Sequence, residues 1–244
     1  MTPQILLDVD VRALAVRVRM NDVLVLDSET GQPERAAMRL GGWAIPGGNR
    51  LTIQWRPPRP GFTGGERKLV ARVRRTAGET ETELGLLEWS AADPPLGEKS
   101  FGLAFEPPDR WRWIEAEVFS ELPGSERSAI LALLGRVREA LATRDSDWLV
   151  TAQTLQLSEQ ARAVGTAPPQ MIASYRSFLS ERLPGNVVDP IEPNTLRLEL
   201  MGGGRIVRVS STDDSPAVMS RSAEGVFAMT PYLAKIGGAW AIVR

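Results

Sequence analysis

The sequence predicts a two-domain protein, an N-terminal all-β sandwich or jelly roll followed by a C-terminal α+β domain of three helices and a curved antiparallel sheet. Three observations carry this expectation. Up to about Phe119, apolar and polar residues alternate in short runs broken by turn residues, the period of strands. From Leu122 the apolar spacing becomes that of helices, and from about Thr195 alternation returns. The first switch falls at Glu121-Leu-Pro-Gly124, which places the expected domains at 1–121 and 122–244. Each is long enough to bury a core of its own.

In the first half the expected strands are Ile5–Val11, Ala13–Met20, Val23–Leu26, Trp43–Ile45, Leu51–Trp55, Lys68–Arg75, Thr80–Trp89, Ser100–Phe105 and Trp111–Phe119. Turn residues separate them, among them Asn21-Asp22, Ala77-Gly78, Asp93-Pro94-Pro95 and Pro107-Pro108-Asp109. One hairpin can be placed in register. Centring its turn on Ala77-Gly78 sets Arg74 opposite Glu81 and Arg72 opposite Glu83, with Val73, Ala71 and Leu69 facing Thr82, Leu84 and Leu86. One face is then apolar and the other ion-paired, and a one-residue slip would destroy both patterns. The cationic run Arg67-Lys68…Arg75 is therefore read as a neutralised sheet face, not an anion site.

In the second half Ile130, Leu133, Leu134, Val137 and Leu141 form one helical stripe, with Ser125 placed to cap it. A second helix follows Asp145-Ser146 and runs to Gly165, and a third opens on Pro168-Pro169 and stops at Pro184-Gly185. The closing strands are Thr195–Met201, Arg205–Ser211, Ala217–Arg221, Val226–Thr230, Tyr232–Ile236 and Ala239–Arg244. Pro231 between two of them calls for a bulge or an edge.

Composition limits the chemistry. The chain has 244 residues and contains no His and no Cys. That excludes an imidazole base, a Ser-His-Asp or Cys-His nucleophile, a thiolate, a disulfide and zinc or iron–sulfur ligation. Lys and Arg total 29 against 30 Asp and Glu, balanced in both halves, which argues against nucleic-acid binding. No Walker loop, no Gly-x-Gly-x-x-Gly between strand and helix and no Gly-x-Ser-x-Gly elbow occurs, and Gly202-Gly-Gly204 is flanked by strand patterns on both sides. Asp8-Val-Asp10, Glu115-Ala-Glu117, Asp145-Ser-Asp147 and Asp213-Asp214 lack calcium-loop spacing. The expectation is no cofactor and no metal. The N-terminus has no cationic leader and no window reaches a membrane span, so a cytoplasmic location is expected, a trimmed leader giving the same sequence. The Pro/Gly-rich tract from Arg56 to Gly65 is read as a surface connection.

Seven Trp are present, and Trp111-Arg-Trp113 would put two indoles on one strand face, in a core, at a domain interface or as a stacking platform. In the second half Trp148, Tyr175, Phe178 and Phe227 are candidates to line a pocket.

Two resemblances follow from wording. Val16–Trp55, with its Met20-Asn21-Asp22 turn and the phrase Gly48-Asn-Arg-Leu-Thr-Ile53, resembles galactose-binding-like jelly rolls, which implies a sandwich used for binding. The close Tyr232-Leu-Ala-Lys-Ile-Gly-Gly-Ala-Trp240 is similar to the last hairpin of the nuclear-transport-factor-2-like, cystatin-type α+β cone. That likeness implies a pocket or dimerisation module, without the His-Asp dyad of the group's dehydratases. The sequence thus points to a non-catalytic binding protein acting through a protein partner or self-association at the sandwich or interdomain surface. The alternatives are a small apolar ligand in the C-terminal cone, or a weak enzyme there, and a glycan on the sandwich.

Overall fold

Among the described residues, eight strands build the first of the two units into which the chain divides, residues 1–110 and 111–244. The structure, a computed structural model, describes residues 4–58, 65–90, 92–105, 111–183, 185–222 and 225–244. The strands are β1 (Gln4–Arg12), β2 (Ala15–Met20), β3 (Val23–Ser28), β4 (Glu34–Arg39), β5 (Gly48–Arg56), β6 (Lys68–Ala77), β7 (Thr80–Trp89) and β8 (Gly97–Ala104). They form two four-stranded antiparallel sheets, β4-β1-β6-β7 and β3-β2-β5-β8. Alternation sends Ile5, Leu7 and Val9 of β1 into the same core as Val16 and Val18 of β2 and Leu51 and Ile53 of β5. Two expected strands of the first half are something else. Around Trp43 the glycines at 41 and 42 tighten the chain into a 3₁₀ turn, Gly41–Trp43, and the segment from Trp111 belongs to the second unit. The Pro107-Pro108-Asp109 turn and most of the tract from Arg56 to Gly65 lie outside the described residues.

The β6–β7 hairpin keeps its charge pairs in a shifted register. Ala77 faces Thr80, so the turn is Gly78-Glu79, with Gly78 at φ +63° where a side chain would be strained. Arg74 lies opposite Glu83, and a bulge beyond it sets Val73 against Gly85. The move from the expected register is two residues near the turn, which leaves each side chain there on its face. Beyond the bulge it is three, so that Ala71 meets Leu87, Leu69 meets Trp89 and Leu86 stands opposite Arg72 in place of the expected apolar pairs. Arg74 accordingly still donates to Glu81 at 2.7 Å, and Arg72 lies 3.2 Å from Glu83. The bulge makes Leu84 the extra residue, which explains why alternation breaks at Leu84-Gly-Leu-Leu87.

Asn49, buried at the start of β5, ties this unit together. Its Oδ1 accepts from the Ile45 N–H at 2.8 Å and from Asn21 Nδ2 at 2.7 Å. Its Nδ2 donates to the carbonyls of Ile45, Gly47 and Phe105 at 3.0, 3.3 and 2.9 Å. Asn21 is itself in the left-handed turn between β2 and β3, and its Oδ1 accepts from the Arg50 N–H at 2.9 Å.

In the second unit come α1 (Gly124–Thr143), α2 (Ser146–Val164) and α3 (Pro168–Arg182), then β9 (Val187–Val188), β10 (Leu196–Met201), β11 (Ile206–Ser211), β12 (Val218–Ser222), β13 (Gly225–Met229), β14 (Tyr232–Ile236) and β15 (Ala239–Ile242). The stripe Ile130, Leu134, Val137 and Leu141 is buried as its spacing requires. Asp145 caps α2 through the Trp148 N–H at 3.0 Å, and Gly165 closes it at φ +73°. At α1 the residue before the helix is Pro123, with no side-chain cap bond, in place of the expected Ser125 cap. The strands make two antiparallel sheets, β10-β11-β14-β15 and β13-β12-β9, where one curved sheet was expected. Pro231 stands between β13 and β14, which belong to different sheets, and its carbonyl accepts from Val209 N–H at 3.0 Å. The helices and both sheets share one core, including Val207, Val209, Val218, Leu233 and Ile242.

Residues 111–119 read as a strand because Trp-Arg-Trp-Ile-Glu-Ala-Glu-Val-Phe alternates, yet they form a strap. A 3₁₀ turn covers Arg112–Glu115, and its backbone bonds go to scattered partners instead of one neighbouring strand. Glu117 N–H donates to Lys235 O and Phe119 N–H to Gly204 O, both at 2.9 Å. Gly204 is required there, since a Cβ would lie 2.1 Å from Phe119 O.

The strap ends on a charged joint. Lys235 donates to Glu126 at 2.9 Å and Trp240 Nε1 to the other oxygen of Glu126 at 2.8 Å, which together hold that carboxyl below its usual range. Asp213 is pulled down to about 2 by its hydrogen bonds with Ser215. Acids whose pKa is depressed on folding stabilise above their unfolded value and lose that contribution as pH falls through the folded value. The second unit is therefore expected to lose stability from about pH 4 down to about 2. Urea unfolding of Asp213→Asn across that window should show a flatter pH profile than the parent.

Candidate functional site

Trp111 and Trp113 are both buried, so neither indole presents a face to a partner or a glycan. The Arg244 guanidinium lies 4.9 Å above the Trp111 ring. Trp148, Tyr175 and Phe227 pack on the core of the second unit, with the Arg136 guanidinium 5.4 Å from the Trp148 ring. Phe178 is exposed and stacks on Tyr175, ring centroids 6.1 Å apart. The Tyr175 hydroxyl accepts from Gln153 Nε2 at 2.5 Å, and burial pushes its pKa up. The structure thus brings together Tyr175 with Phe178, while the Trp111–Trp113 pair serves the strap.

Two groupings escaped the sequence reading. The first is Glu159 of α2, with 0% of its surface exposed, which accepts from the Arg112 N–H at 2.7 Å and from Arg244 Nη1 at 2.8 Å. Desolvation lowers the pKa of Arg244 in this setting. Nothing in α2's apolar periodicity marks position 159.

The second is a recess of about 370 Å³ on the first unit, bordered by Arg17, Asp27, Glu29, Gln54, Arg56 and Leu96. Strand register builds it. Arg17 faces both Asp27 on β3 and Gln54 on β5, and Gln54 faces Glu98 on β8, so one polar row crosses the sheet. Arg17 donates to Asp27 at 2.7 Å and to Glu29 at 3.2 Å, and Arg56 donates to Glu29 at 2.7 Å. Gln54 donates to Glu98 at 2.8 Å and accepts from Arg19 at 3.0 Å. These links fix side chains whose rotamers would otherwise be free.

One lip of the recess is held from beneath. Trp55 Nε1 and Trp89 Nε1 both donate to the Pro94 carbonyl at 3.0 Å. Asp93 closes the same loop by accepting from the N–H and hydroxyl of Ser90, which lowers its pKa. Gly97, opposite Trp55 in the sheet, leaves room for the indole, since a Cβ would stand 2.3 Å from Trp55 Cζ2. The clamped loop presents Leu96 with 67% of its surface exposed.

Among the described residues no three His, Cys, Asp or Glu cluster as metal ligands, and no helix is long and apolar enough to cross a membrane. Comparison with protein-family models, curated proteins and solved structures gives no match.

Proposed function

We propose that this chain is a recognition protein that engages a protein partner through the recess face of its N-terminal sandwich, without chemistry on what it binds. The observation that carries the reading is the exposed Leu96, on a loop clamped at Asp93 and Pro94, at the lip of an ordered polar recess. An apolar side chain on a clamped loop beside already ordered polar groups is a place where interface energy can concentrate, because the loop and the polar side chains have little entropy left to lose on binding. The mutual pairing of Arg17, Asp27, Glu29 and Arg56 leaves the surround close to neutral, suited to a rim that selects by geometry.

A photo-crosslinking residue at Leu96, in cells of the source organism, is expected to trap one discrete protein that the same residue at exposed Arg39 does not. Leu96→Asp should weaken binding of that protein by about 2 kcal/mol while leaving the melting temperature unchanged. Equal labelling from both positions, or an unaffected affinity, would sink the reading. A hydroxyl-rich ligand is the second reading, because the recess offers guanidinium, amide and carboxylate side by side along the wall formed by Trp55. A shift of intrinsic fluorescence by a glycan panel, lost in Arg17→Ala, would favour it.

A further inference from the structure

The three-stranded sheet of the second unit ends on β13, which among the described residues pairs on one side only, with β12. Its sequence, Gly-Val-Phe-Ala-Met, carries no charge and no proline. Monomeric proteins guard such edges with lysine, proline or a bulge, since an open row of N–H and C=O groups invites another strand. β13 itself carries no such guard; the outer row beside it sets two exposed valines on either side of Arg221, and the Arg182 guanidinium stands beside Gly225 at the strand's start. Val226 faces Arg221 on β12, which faces Val187 on β9, so the three share one row on the outer face. Val226 is 60% and Val187 69% exposed. On the opposite face Phe227, Met229 and Val188 pack on the core, which fixes β13 in place.

We propose that β13 pairs antiparallel with β13 of a second copy of this chain, about a two-fold axis at Phe227. The strand is self-complementary in that register. In an antiparallel ladder alternate residues turn their backbone groups to one neighbour and the intervening residues to the other. A strand centred on Phe227 therefore meets its own copy with matching groups over Val226–Ala228, whichever set faces outward, while Gly225, at φ +132°, marks the end of the regular ladder. Val226 then lies opposite Ala228 of the second copy, and the reverse, covering an exposed apolar pair on each side of the seam. No charge of β13 enters the seam, and the nearby Arg221 is paired with Asp189 at 3.1 Å on its own chain. The two sheets become one six-stranded sheet with an isologous interface.

The register makes the test specific. Sedimentation of the full chain across a concentration series should show a reversible dimer. Val226→Lys and Ala228→Glu, both at exposed positions, should each raise the dissociation constant about tenfold or more by placing charge in an apolar seam. The double variant V226K/A228E sets each introduced ammonium opposite an introduced carboxylate of the second copy and should regain much of the lost affinity. Because the chain has no Cys, a mixture of Val226→Cys and Ala228→Cys proteins should oxidise to a cross-linked heterodimer faster than either alone. A monomer at every concentration overturns the proposal. So does a dimer indifferent to both single charges, or one cross-linking no better in the mixture.

Discussion

Replacing Arg244 with Met is expected to cost the second unit about 3–5 kcal/mol, because it leaves the Glu159 carboxylate buried without its counter-charge. The carboxylate has no exposed surface, and among the described residues the Arg112 N–H is the hydrogen-bond partner it keeps in that variant. Glu159→Gln is expected to hurt by a similar amount from the other side. It retains an acceptor for Arg112 but removes the negative charge facing a buried guanidinium whose charged form desolvation already disfavours. The informative protein is the double variant Glu159→Leu/Arg244→Met. A buried ion pair repays its desolvation poorly, so exchanging both partners for apolar groups should come closer to the parent than either single change. Urea unfolding followed by circular dichroism would measure all four corners of the cycle. Additive losses would show that the two residues act independently, and would remove the pair as the joint between α2 and the strap.

That joint was illegible in the sequence for a physical reason. Glu159 and Arg244 are 85 positions apart, and their meeting depends on where β15 docks relative to α2, which no local pattern encodes. The same holds for the recess, whose Arg17, Glu29, Arg56 and Leu96 come from separate segments joined by register. Local physics was readable where it decides structure alone. The start of α2 after Asp145, its close at Gly165 and the core stripe of α1 follow from positions a few residues apart, whereas the cap expected at Ser125 is absent. β4 was missed because Glu-Arg-Ala-Ala-Met-Arg has no β-branched residue to mark a strand, although it pairs along its whole length with β1. The strap shows the opposite failure. Its alternation is genuine, but tertiary partners at Gly204 and Lys235 take its backbone bonds, so the period describes no sheet.

Asn49→Ala is expected to destabilise the first unit by about 3 kcal/mol or more, since it removes five hydrogen bonds and leaves carbonyls and an amide unsatisfied around a buried site. Asn49→Asp separates the donor half of the amide from the acceptor half. The Oδ1 contacts to Ile45 N–H and Asn21 survive, while a carboxylate oxygen now faces the carbonyls of Ile45, Gly47 and Phe105. Burial and that repulsion should raise the new acid's pKa above its unfolded value. The deficit of Asn49→Asp against the parent should therefore shrink as pH falls from the raised folded-state value toward the unfolded one, because protonation restores a donor. Asn49→Ala should show no such recovery. Thermal melts of the three proteins at pH 7 and pH 4 would distinguish these outcomes, and equal deficits at both values would mean the donor half contributes little. The comparison also isolates the proposed binding face. Asn49 anchors the start of β5, whose far end supplies Gln54 and Arg56 to the recess, so its loss should lower stability first and partner affinity only through unfolding. Leu96→Asp should do the reverse.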